Sequence, residues 1–125
     1  MIQQNSTSPL FEIKNLRKVY QTPAGDFTAV KGINVEVQRG EFVAIIGKSG
    51  SGKSTFINMI TGIDRPTAGE IVIGGAPIHS FNEGQMAAWR GRNLGIVFQF
   101  FHLFPTLTIL QNIILPMELN KVYLK

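Results

Sequence analysis

Cysteine is absent from the 125 residues, which excludes disulfides, thiolate metal centres and cysteine nucleophiles. Aspartate is scarce, with only Asp26 and Asp64. The two histidines, His79 and His102, stand far apart with no carboxylate at ligand spacing, so packed or solvated rings account for them better than a metal site. Long apolar runs are also missing: residues 42–46 and 113–115 fall far short of the roughly 18 residues that a membrane-spanning helix needs. Charged residues make up 16%, and the excess of twelve Lys+Arg over eight Asp+Glu is dispersed rather than gathered in a run. Nucleic acid is therefore not an expected partner. The opening segment MIQQNSTSPL has neither a basic nor an apolar region of the kind found in secretory leaders, and the expected compartment is the cytoplasm.

What is present is enough for one domain. Hydrophobic residues reach 44%, and a chain of this size buries about two-thirds of its unfolded surface when compact. Residues 1–9 are polar, end at Pro9 and are expected to form a loose tail. Phe11 and Ile13 alternate with charged residues, as Ile33, Val35 and Val37 alternate with Asn34, Glu36 and Gln38, which is the period of half-buried strands. Residues 21–26 read as the turn between them, and Arg39-Gly40 as a reversal into residues 42–46, whose unbroken apolar character predicts a strand buried on both faces. Phe56, Met59, Ile60 and Ile63 follow helical spacing, with Gly62 and Pro66 as stop signals.

Residues 71–73 and the pair Gly74-Gly75 predict a short strand and hairpin. Ser80 and Glu83 fit a capping box opening a helix through Met86 and Trp89, where Trp89 is read as a packing residue. Residues 94–98 are a further strand candidate, and Thr108 with Gln111 predicts a second capped helix that Pro116 ends or kinks. Interleaved strands and helices place the chain in the α/β class with an early antiparallel β portion.

One stretch carries chemistry. Gly47-Lys48-Ser49-Gly50-Ser51-Gly52-Lys53-Ser54-Thr55 matches GxxxxGK[ST], the Walker A phosphate loop, with an apolar segment leading in and a periodic helix leading out. A triphosphate must be wrapped by backbone N–H groups, and Gly47, Gly50 and Gly52 give the clearance for that approach. The helix beginning near Lys53 aims its free N–H groups at the same phosphates. Lys53 is expected to bridge the β- and γ-phosphates, the Ser54 hydroxyl to ligate Mg²⁺, and Thr55 to donate near the α-phosphate. The plainer alternative is a glycine-rich turn with Lys53 a solvated cation.

The loop, with LRKVYQTPAGDFTAVKGINVEVQRGEFVAIIGKSGSGKST around it and GIDRPTAGEIVIGGAPI after it, resembles the N-terminal half of an ABC transporter ATPase. Residues 95–118, GIVFQFFHLFPTLTILQNIILPME, are similar to the subclass serving lipoprotein release and macrolide or peptide export. The resemblance implies a truncated P-loop NTPase core over residues 10–125, binding ATP with Mg²⁺. It implies that Tyr20 stacks on adenine, where the plainer reading is a packed strand residue, and that Gln99 is the Q-loop glutamine reaching Mg²⁺ or the attacking water. It further implies a homodimer of ATPase domains, peripheral on the inner face of the plasma membrane, with a membrane-embedded permease docking near Phe100, Phe101 and Phe104. Lys48 departs from the proline often found in such loops, and with its side chain outward no loss of phosphate binding is expected.

The family also places an Asp-Glu pair at the end of an apolar strand and an LSGGQ-like segment, and this chain has neither. Glu118 follows an apolar run, but Pro116 interrupts it. The resemblance thus implies an ATPase front half that binds nucleotide and does not hydrolyse it alone. The alternatives are a nucleotide-binding remnant or another P-loop enzyme, although no Asp-x-x-Gly or Asn-Lys-x-Asp run points to a GTPase.

Overall fold

The structure, a computed structural model, describes residues 8–100 and 102–121 in two units, Met1–Asn82 and Glu83–Lys125. Most of the expected loose tail lies outside the described residues.

The first unit is built on a long hairpin. Strand β1 (Phe11–Thr22) pairs antiparallel with β2 (Gly25–Val37) across a two-residue turn, Pro23-Ala24, and Gly25 (φ 114°) takes the left-handed backbone that the turn requires. On its other edge β1 pairs antiparallel with β3 (Ala68–Ile73), which turns through Gly74-Gly75 into the short β4 (Ala76–Pro77). The sheet order is β2-β1-β3-β4. Ile13, Leu16, Val30, Ile71 and Ile73 form the sheet's core, each at most 5% exposed; of the alternating residues read from sequence Ile13 is among them, while Ile33 is 36% exposed.

Helix α1 (Lys53–Ile60) buries Phe56 and Met59. It ends as its glycine predicts: Gly62 adopts φ 68°, its N–H donates to Met59 O (3.1 Å), and the Ile63 N–H donates to Asn58 O (2.8 Å). This paired arrangement satisfies the last carbonyls, and it leaves Ile63 beyond the helix and 47% exposed.

Two strand expectations are corrected. Residues 42–46 and 94–98 form no strand, and Phe42, Ile46 and Val97 are at least 90% exposed. A strand is defined by its ladder as much as by its residues, and among the described residues neither segment has a ladder partner. The sheet that is present is antiparallel throughout.

In the second unit α2 (Glu83–Asn93) starts two residues later than a cap at Ser80 would place it. Ser80 lies in a 3₁₀ turn (Ile78–Ser80), where its hydroxyl donates to Pro77 O at 2.8 Å. That local bond competes with capping, as serine hydroxyls commonly do. Trp89 is half-buried and Met86 buried, as a packed helix face requires. The second cap forms as read: at α3 (Ile109–Leu119) Thr108 Oγ1 accepts from the Gln111 N–H (3.2 Å) and Gln111 Oε1 accepts from the Thr108 N–H (2.8 Å). Pro116 sits inside α3 and does not end it; the helix runs on to Leu119, and the Asn120 N–H reaches Pro116 O at 3.2 Å. In the first unit His79 is a packed ring, its Nδ1 accepting from the Ile71 N–H at 3.1 Å, and in the second His102 stacks on Phe98 with centroids 4.6 Å apart.

Candidate functional site

The phosphate-loop segment closes on its own lysine. Lys53 Nζ donates to Gly47 O and to Lys48 O, each at 2.6 Å, and to Ser51 Oγ at 3.4 Å. The Ser51 N–H donates to Lys48 O at 3.2 Å, so the loop is folded into a ring around the ammonium. Gly52 caps α1 in the left-handed conformation (φ 90°, ψ 7°), which frees the first helical N–H groups without a side chain over them. A Cβ at Gly52 would lie 2.4 Å from the carbonyl oxygen of Ala29, so the glycine is required twice, by its φ and by the approach of β2. The first turn of α1 carries no carboxylate to compete for the positive end of the helix.

A cleft of about 500 Å³ opens beside this loop. Ser49, Gly50, Gly52, Lys53, Ser54 and Thr55 line one part of it, and Tyr20, Phe27 and Ala29 line the other. The structure thereby gathers Tyr20, at the far end of β1, with most of the phosphate loop. Gly47 and Lys48 contribute through their carbonyls on Lys53 rather than through the cleft wall. Ser54 is exposed and Thr55 half-buried.

Phe27 is a residue that the sequence reading missed. It stands directly opposite Tyr20 in the hairpin register, so both rings leave the same face of the sheet. The signal was available: a two-residue turn at Pro23-Ala24 pairs Thr22 with Gly25 and hence Tyr20 with Phe27. At 38% and 56% exposure these two rings are open for a ligand's flat face.

Asp64, just after α1, holds Tyr20. The Tyr20 hydroxyl donates to Asp64 Oδ2 at 3.0 Å, while Lys18 Nζ and the Arg65 N–H donate to Oδ1 at 2.6 and 2.7 Å. Burial pulls the Asp64 carboxyl upward, but the bonds from Lys18, the Arg65 amide and Tyr20, with the Lys18 charge, outweigh it and hold the group below its ordinary value of 3.8.

Gln99 belongs to the second unit, exposed on a segment without regular structure, so the strand-end placement expected for it does not occur. Phe100 and Phe104 are 74% and 54% exposed, and Phe101 lies outside the described residues. The loop carrying Phe104 is built rather than loose. Asn112 of α3 accepts from the Phe104 N–H (2.8 Å) and donates to Phe104 O, Leu107 O and Thr108 O at 3.0–3.2 Å. No helix among the described residues is long and apolar enough to cross a membrane.

A glycine loop closed around a lysine, capped onto a helix and facing two aromatic rings, defines the chain's class as a P-loop nucleotide-binding protein. Comparison narrows the class. The profile of the ABC transporter family matches residues 30–124, and the chain belongs to that family. It is 38% identical over 113 residues to the lipoprotein-releasing system ATP-binding protein LolD of Alcanivorax borkumensis, covering 90% of this chain and 50% of LolD. It is 44% identical over 113 residues to the methionine import ATP-binding protein MetN of Bordetella pertussis, covering 90% of this chain and 31% of MetN. Among solved structures it is similar to a dimeric post-hydrolysis state of the ATP-binding cassette MJ0796 bound to ADP and Pi, with TM-score 0.85 and 36% identity, over 92% of this chain and 50% of that one. The chain thus spans half the length of LolD and of that cassette, and its fold is that of the first part of an ABC ATPase.

Proposed function

We propose that the chain is the nucleotide-binding front portion of the energy-coupling subunit of an ABC transporter, of the type that drives export or lipoprotein release. The observation that carries this is the cleft lined by Tyr20 and Phe27 together with Ser49, Gly50 and residues 52–55 of the phosphate loop, Lys53 among them. Its shape separates a flat apolar end from a polar end rich in N–H donors, which are the two demands of a nucleoside triphosphate.

In this reading adenine stacks on Tyr20 beside Phe27. Backbone N–H groups from Ser49 to Thr55 cradle the phosphates, and Lys53 exchanges its carbonyl partners for the β- and γ-phosphate oxygens. The Ser54 hydroxyl, exposed at the first turn of α1, holds Mg²⁺. When bound, that ion neutralises phosphate charge.

Similarity to LolD and residues 95–118 support the export or release type, and the segment of Phe100, Phe101 and Phe104, in which Phe100 and Phe104 are exposed, serves as the surface for a membrane-embedded permease. The assembled protein works as a pair of cassettes at the inner face of the plasma membrane.

Hydrolysis in this family uses an Asp-Glu pair at the end of an apolar strand, and neither aspartate of these 125 residues stands in one. Asp64 is committed to Lys18 and Tyr20, and Asp26 lies at the hairpin turn. This chain therefore binds MgATP without turning it over. Measuring phosphate release beside nucleotide binding tests the division: binding with no Lys53-dependent release supports it. Steady release that vanishes in Lys53→Ala contradicts it.

A further inference from the structure

We propose that Lys18 and Asp64 are positioning residues for the base-stacking ring of Tyr20, coupling the adenine end of the cleft to the phosphate-loop helix. The proposal rests on the reading of Tyr20 as the adenine platform and adds to it a device that sets the ring's orientation.

The geometry is continuous from one end of α1 to the other. At its N-terminus the helix opens from the phosphate loop, and at its C-terminus the Schellman turn delivers Asp64, whose N–H donates to Asn58 O at 3.0 Å. Both Asp64 oxygens are then used: Oδ2 by the Tyr20 hydroxyl and Oδ1 by Lys18 and the Arg65 amide. Lys18 also donates to Arg65 O at 2.7 Å, and its ammonium lies over the Tyr20 ring, 5.0 Å from the centroid. The next residues are stitched to the same strand. The Val19 N–H donates to Thr67 Oγ1 at 3.0 Å and the Thr67 N–H to Arg17 O at 2.9 Å.

Lys18 and Tyr20 are two apart on β1 and therefore share a face. One face of the ring meets the Lys18 ammonium, while the residue also lines the cleft, so the opposite face is the one presented to a base. The Lys18 side chain is 12% exposed and that of Asp64 30%, so the pair is shielded from much of the screening that weakens a surface ion pair. A tyrosine on an open strand surface otherwise rotates freely, and ordering such a side chain on binding weakens affinity by about two- to tenfold. The brace makes that ordering part of the fold, so the ring waits in place.

The test is calorimetric titration of MgATP and, separately, of magnesium tripolyphosphate, which occupies the phosphate loop without a base. Tyr20→Ala sets the scale: it should weaken MgATP by about fivefold or more, with tripolyphosphate unchanged. Tyr20→Phe and Asp64→Ala, which keep the ring and remove its tether, should each weaken MgATP by about two- to tenfold and leave tripolyphosphate unchanged. Asp64→Asn, which retains an acceptor for the tyrosine hydroxyl, should recover part of the loss. If Tyr20→Ala weakens MgATP while Tyr20→Phe and Asp64→Ala bind it as wild type does, the brace is refuted and the platform stands. Were Tyr20→Ala itself without effect, the platform reading would fall and the brace with it. Parallel loss of both ligands in Tyr20→Phe and in both Asp64 variants would make the cluster a support of the fold and overturn the proposal.

Discussion

Gly52→Ala is the sharpest perturbation of the phosphate loop that the structure offers. The new Cβ meets two penalties. The first is the left-handed backbone, φ 90°, which costs an ordinary L-residue about 1–2 kcal/mol. The second is contact: the Cβ would stand 2.4 Å from Ala29 O, 3.4 Å from Ala29 C and 3.6 Å from Val30 Cγ2. Ala29 lies in β2 between Thr28 and Val30, which pair with Val19 and Lys18 and hold the segment in place, so relief comes mainly from bending the loop. Distorting a backbone angle by 15° costs about 4 kcal/mol, and even half of that brings the sum to about 3 kcal/mol or more. Since about 1.4 kcal/mol is tenfold in affinity, MgATP binding should weaken by about a hundredfold. Gly50→Ala is the control. It has a similar left-handed backbone, φ 78°, but nothing within 4 Å of its Cβ, so only the first penalty applies, about five- to thirtyfold. Titrating a fluorescent ATP analogue into both variants, with circular dichroism to confirm the fold, gives the comparison. Equal losses in the two would refute the claim that Ala29 shapes the loop, and no loss in Gly52→Ala would refute the loop geometry itself.

Leu16→Ala, at a fully buried position of β1, should lower unfolding free energy by about 2–5 kcal/mol, read by urea denaturation; a loss below about 1 kcal/mol would show that the sheet's core lies elsewhere. Because the Asp64 carboxyl is held below its ordinary value of 3.8, its stabilising contribution is complete above that value and is lost as the pH falls through the folded value. The stability difference between wild type and Asp64→Asn should therefore be level near neutrality and shrink below about pH 4. A difference that instead grows in acid would contradict the hydrogen-bonded carboxylate.

Local signals were the most legible part of this molecule. The phosphate loop is a contiguous string whose residue types follow from backbone clearance, and the Thr108–Gln111 cap is a four-residue pattern. The hairpins were legible in outline, although the turn read over residues 21–26 is confined to Pro23-Ala24 and the flanking residues pair in the strands. Residues 42–46 read as a strand for sound reasons of composition, but strand formation is decided by a partner, and periodicity carries no information about one. Ser80 illustrates a local ambiguity: the same hydroxyl fits a helix cap and a turn, and the carbonyl of Pro77 won. Lys18 and Asp64 were illegible for a different reason. Each looks like an ordinary surface charge, and their contact joins positions 46 residues apart that only the docking of the α1 exit onto β1 brings together. Phe27 lies between these extremes, since counting the hairpin register would have found it.

The central claim is that the Gly47–Thr55 loop binds the phosphates of a nucleotide through Lys53. Its most direct test is calorimetric titration of MgATP into the wild-type chain and into Lys53→Ala, with far-ultraviolet circular dichroism confirming that both are folded. Lys53 supplies the loop's inward ammonium, held 2.6 Å from two loop carbonyls, and a charge-assisted bond to phosphate is worth about 1.5–3 kcal/mol. The account predicts saturable binding by the wild type and an affinity lower by about tenfold or more in Lys53→Ala. Equal affinities in two folded proteins would contradict it.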